Sequence, residues 1–90
     1  MAGVLVILQV RPESPEVDIN ALAEKVKKKV EESGKFKVLE LRIEPFAFGL
    51  NVIRMKVVIP EEEGAQDYLE SIIKSVEGVE DVEVELFTRI

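Results

Sequence analysis

Apolar and polar residues along this chain fall into six periodic blocks, punctuated by Gly and Pro. Val4, Val6, Leu8 and Val10 make one wholly apolar side of a short β-branched run. The other side turns polar at Gln9 and Arg11, and Pro12 stops the run, which predicts a central strand over 4–11. Two prolines keep the loop 12–17 extended, and Asp18 is a good helix N-cap. Ile19, Leu22, Ala23, Val26 and Val30 then recur at helical spacing until Gly34, placed as the left-handed cap. Alternation returns over 36–43, with Leu39, Leu41 and Ile43 inward and Val38, Glu40 and Arg42 outward. It resumes over 50–59, with Ile53, Met55, Val57 and Ile59 inward and Arg54 and Lys56 outward. The five residues 45–49 between them predict an antiparallel hairpin. Ala65, Leu69, Ile72, Ile73 and Val76 mark a second helix, opened by Gly64 and closed by Gly78. Residues 81–90 read as a last strand, with Val82, Val84 and Leu86 inward and Glu83, Glu85, Phe87 and Arg89 outward.

The order is βαββαβ. A weak repeat supports it: Val10-Arg11-Pro12-Glu13 and Val58-Ile59-Pro60-Glu61 each stop a strand and lead through an acidic loop to a helix. Right-handed crossovers then give an α+β, ferredoxin-like split βαββαβ sandwich. Its four-stranded antiparallel sheet carries both helices on one face, with the first and third strands central. The expected core is Val6, Leu8, Leu22, Val26, Leu41, Met55, Val57, Leu69, Ile73 and Val84. Ninety residues suffice for one such domain, spanning 1–90.

Composition narrows the chemistry. With 47% apolar residues, the chain is too hydrophobic for disorder. Its longest purely apolar run, Val4–Leu8, is far below the ~20 residues of a membrane span, and residues 1–8 lack a basic leader segment. There is no Cys and no His, which removes disulfides, thiolate nucleophiles and the commonest general base. No Gly-rich phosphate loop or nucleophile–base pair is visible. The expectation is a protein that is not an enzyme, with no cofactor, residing in the cytoplasm. A net charge of −6 opposes direct nucleic-acid binding. An RNA-recognition domain shares the topology but needs stacking aromatics on its central strands, where this chain has Leu5, Ile7, Arg54 and Lys56.

The uncovered sheet face is expected to show Leu5, Ile7, Gln9, Arg11, Val52, Arg54, Lys56, Val58, Glu83, Glu85, Phe87 and Arg89, a basic centre flanked by acids. It reads either as a solvated face of cross-strand ion pairs or as an interaction surface with an apolar patch at Leu5, Ile7 and Val52. Lys25, Lys27, Lys28 and Lys29 read as a solvated helix face. Glu61-Glu62-Glu63 complements a helix dipole, and three consecutive carboxylates do not converge on a metal. Phe46-Ala47-Phe48-Gly49 is ambiguous: a small cap over the core, with Phe36, or an aromatic anchor on a loop.

Three segments carry a family resemblance: Arg11-Pro12-Glu13-Ser14-Pro15-Glu16-Val17-Asp18, Glu44-Pro45-Phe46-Ala47-Phe48-Gly49-Leu50 and Val76-Glu77-Gly78-Val79. Together, and in this order, they resemble archaeal translation elongation factor 1-beta over essentially the whole chain. The resemblance implies a guanine-nucleotide exchange domain acting on the GTPase elongation factor 1-alpha, the carrier of aminoacyl-tRNA, with no bond made or broken by the factor itself. It implies a partner contact at Phe48, in Phe-Gly, and a role for Arg89, next to Ile90, in the exchange step; Phe46, Gly49 and Phe87 are further candidate partner contacts. Arg89 stands where the eukaryotic domain has a lysine that reaches toward the magnesium and phosphate site of the GTPase. No membrane contact and a monomer when unbound are also expected. The alternative from fold analogy alone is a small-molecule-sensing regulatory domain acting as a homodimer, its ligand held near Pro12 to Asp18.

Overall fold

Each periodic block becomes one element in the computed structural model, which describes residues 3–90; the first two positions of the expected 1–90 span lie outside it. The elements are β1 (Gly3–Pro12), α1 (Ile19–Glu32), β2 (Lys37–Pro45), β3 (Asn51–Pro60), α2 (Ala65–Lys74) and β4 (Val79–Arg89). The strands pair in the order β2-β3-β1-β4, every pair antiparallel, so β1 and β3 are central. The fold is ferredoxin-like. The even residues of β1 and the inward residues of β3 pack with Leu22, Val26, Val30, Leu69 and Ile73 of the helices in one continuous core. Leu41 and Val84 sit at its rim, half-buried, because β2 and β4 are edge strands.

Local chemistry sets the helix ends. The Asp18 carboxylate accepts hydrogen bonds from the Asn20 and Ala21 N–H groups, both at 3.2 Å, satisfying two donors that α1 leaves open. Gly34 follows α1 at φ 75°, where a glycine carries no steric penalty. The loop after Pro12 departs from the extended expectation. Val17 N–H donates to the Ser14 carbonyl at 3.2 Å, so Pro15 and Glu16 form the middle of a turn.

Two of the three register shifts in the sheet move expected side chains to the other face. In β2 the register slips between Val38, opposite Val57, and Glu40, opposite Lys56. Leu39 is the extra residue of a β-bulge, so Val38 packs on the core and Leu39, expected inward, is 52% exposed. In β4 the register slips between Leu86, opposite Ile7, and Val84, opposite Leu8, which makes Glu85 the extra residue. Every residue after it changes face relative to simple alternation. Leu86, expected inward, lies on the open face beside Ile7. Phe87 and Arg89, expected on the open face, lie opposite the inward residues Val6 and Val4 on the helix side.

Candidate functional site at the two ends of the sheet

At one end of the sheet the β2–β3 turn is closed by Phe46 N–H donating to the Leu50 carbonyl at 2.7 Å and Leu50 N–H donating to the Ala47 carbonyl at 3.2 Å. Between them a short 3-10 turn, Ala47–Gly49, holds Phe48 at φ 61°, ψ 33°. Gly49 follows at φ 75°. A left-handed non-glycine residue costs on the order of 1–2 kcal/mol. The Phe48 side chain recovers little of it within the molecule, being 96% exposed. Phe46 behaves differently. Its ring lies 5.3 Å from the Arg11 guanidinium, and Arg11 is itself held by Glu83 at 2.9 Å. Phe36, considered as a companion in a hydrophobic cap, is buried against Tyr68 with ring centroids 5.8 Å apart. It belongs to the opposite end, because it directly precedes the start of β2. The turn aromatics therefore do not cap the core.

The other end carries Phe87 and Arg89. Phe87, 51% exposed, borders a shallow cavity of about 400 Å³ with Val4, Ile59, Pro60 and the turn Glu61–Gly64 that leads into α2. Arg89 Nε lies 3.0 Å from Glu61 Oε1. That partner is a correction: the open-face placement put Arg89 across from Arg11 and Arg54, near Glu83 and Glu85, but the register sets it opposite Val4, at the other end of β1 from Arg11, and the bulge turns it to the helix side. Nothing in the sequence around Glu61 signalled the pairing.

Between the two ends, the open face is a network of ion pairs. Lys56 meets Glu40 at 3.4 Å, and Arg54 reaches Glu44 at 3.5 Å and Glu85 at 2.9 Å. Arg42 lies 3.0 Å from Glu40 and 3.4 Å from Glu44. The basic centre flanked by acids is thus neutralised within the face. Val52, expected in an exposed apolar patch, is buried at 2% exposure, and Leu86 takes its place beside Ile7. Among the described residues, no group of three His, Cys, Asp or Glu side chains is placed to hold a metal ion. The loop considered for a small ligand, Pro12 to Asp18, is stitched to the β4 approach by Glu13 N–H donating to the Gly78 carbonyl at 2.9 Å.

The candidate residues thus form two groups: Phe46, Phe48 and Gly49 at one end, Phe87 and Arg89 at the other. The turn lies beyond Val10, opposite Ile53, and Arg89 lies opposite Val4. Six strand steps separate Val4 from Val10, roughly 20 Å, in a molecule 40 Å long.

Residues 5–90 match the EF-1 guanine nucleotide exchange domain family. The chain belongs to this family. It is 46% identical to "Elongation factor 1-beta" of Hyperthermus butylicus, covering 100% of this chain and 97% of that one. It is 45% identical to the protein of the same name from Staphylothermus marinus, covering 100% and 99%. Among solved structures, the BlrP1 BLUF protein superposes with a TM-score of 0.61 over 100% of this chain and 56% of that one; at 21% identity the likeness concerns the fold alone. The family match supports the exchange-factor role over the length that carries both groups of candidate residues.

Proposed function

We infer that this chain releases GDP from elongation factor 1-alpha, the GTPase that carries aminoacyl-tRNA, so that GTP can reload it in the cytoplasm. The observation that carries the reading is the family match over residues 5–90, in a chain that displays a 96% exposed aromatic on a rigid turn. The physics is linkage. A factor that binds the nucleotide-free GTPase more tightly than the GDP form weakens GDP binding by the same factor. The exchange factor makes and breaks no bond, and acts without a cofactor of its own. Phe48 enters an apolar recess of the partner, helped by its pre-set backbone, with Gly49 supplying the turn and Phe46 bracing it from the sheet. Phe87 offers a second apolar contact at the far end. Arg89 delivers a cation to the phosphate and magnesium region, where it competes for anionic ligands and raises the free energy of the GDP-bound state. Arginine supplies the charge of the eukaryotic lysine through a planar fork.

The test is release of labelled GDP from the cognate GTPase. Sub-stoichiometric amounts of this protein accelerate release and leave the hydrolysis step unaltered. No acceleration at high concentration overturns the reading.

A further inference from the structure

The bulge at Glu85 does more than turn Arg89 to the helix side: it delivers the guanidinium to a carboxylate. Arg89 lies opposite Val4, Val4 lies opposite Ile59, Pro60 ends β3 and Glu61 follows it directly. The two strand ends thus flank the start of β1, and the side chains meet across it at 3.0 Å. Without the extra residue Arg89 would share the open face with Leu5 and Val58, which offer it no counter-ion. Glu61 is well placed to hold it. Glu62 N–H donates to the Pro60 carbonyl at 2.9 Å, fixing the turn, and the Glu61 side chain is 35% exposed against 77% for Arg89. The pair therefore joins a half-buried acid to a largely exposed cation.

We propose that Glu61 is an intramolecular counter-ion that competes with the GTPase for Arg89, so that the pair must open before the exchange step. This rests on the reading of Arg89 given above. A carboxylate is the same class of ligand as the phosphate and carboxylate groups that Arg89 meets on the partner. A guanidinium neutralised by Glu61 is correspondingly less available to them. The pair is exposed, so it tunes the encounter and does not block it. In the assembled complex Arg89 has already left Glu61, which places the effect on KM and leaves kcat unaltered.

The experiment measures GDP release at varied factor concentration for the parent, Glu61→Gln, Arg89→Ala and the double variant. Glu61→Gln is expected to raise kcat/KM about 1.5- to 5-fold through KM, the range of an exposed ion pair. Added salt is expected to shrink that gain. The gain is expected to vanish in the Arg89→Ala background. An unchanged or reduced kcat/KM in Glu61→Gln, with Arg89→Ala impaired, overturns the competition and leaves the role of Arg89 standing. An equal gain with and without Arg89 also overturns it, since it then reflects removal of one negative charge from an acidic protein. Arg89→Ala exchanging like the parent overturns the reading of Arg89, and the competition with it.

Discussion

Phe48 combines a backbone cost with no intramolecular return, because its φ of 61° is unfavourable for a phenylalanine and its ring faces solvent. Two effects are separable there. Asparagine tolerates the left-handed region and removes the ring, so Phe48→Asn is expected to leave the thermal midpoint at or above that of the parent. The same variant is expected to lose about 30-fold or more in affinity for nucleotide-free GTPase, the scale of an aromatic anchor worth 2 kcal/mol. Thermal unfolding and a binding titration check the two halves; a stability loss that accounts for the binding loss would return Phe48 to a purely local role. At Arg89 the informative comparison is Arg89→Lys with Arg89→Ala. Charge alone as the requirement predicts that the lysine variant exchanges and the alanine variant binds without exchanging, measured as GDP release rate against equilibrium affinity.

Among the elements, α2 holds most strongly through Leu69, which is fully buried between its helix and the sheet. Leu69→Ala is expected to cost about 2–5 kcal/mol in a denaturant melt. For α1 the corresponding weak point is the cap: Asp18→Ala removes the acceptor for two N–H groups and is expected to cost about 1 kcal/mol. Both positions were legible in the sequence, since helical spacing and the cap residue are properties of a short segment. The strands were legible as strands, and so were the inward faces of β1 and β3, but β2 and β4 were legible only on one side of their bulges. Val38-Leu39 and Leu86-Phe87 each fit either parity, and pairing with a neighbour chose between them by inserting an extra residue.

For the molecule as a whole, the separation of the candidate residues decides how a partner is held. On the proposed reading, two anchors towards opposite ends of the sheet would grip two separate places on the GTPase, with a self-neutralised sheet face between them. Sites this far apart without shared contacts contribute independently. The double variant Phe48→Ala, Arg89→Ala is therefore expected to lose affinity equal to the two single losses combined, within about 0.5 kcal/mol, in a double-mutant cycle. A larger coupling energy would mean that the ends communicate through the fold.

The element order, both helix stripes, the Asp18 cap, the hairpin and most of the core, down to Val6, Leu8, Met55 and Val57, were readable from the residues alone. These follow from periodicity and from hydrogen bonds made within a few residues, so a local reading reaches them. Three family-like segments also pointed to the exchange role and to Phe48 and Arg89. That Phe48 stands in solvent while Phe46 stacks on Arg11, and that Phe87 and Arg89 cross to the helix side, emerges in the folded chain. So does the pairing of Arg89 with Glu61. Apart from the Phe48 turn, those outcomes depend on pairing between strands distant in sequence, where one inserted residue inverts every side chain that follows it.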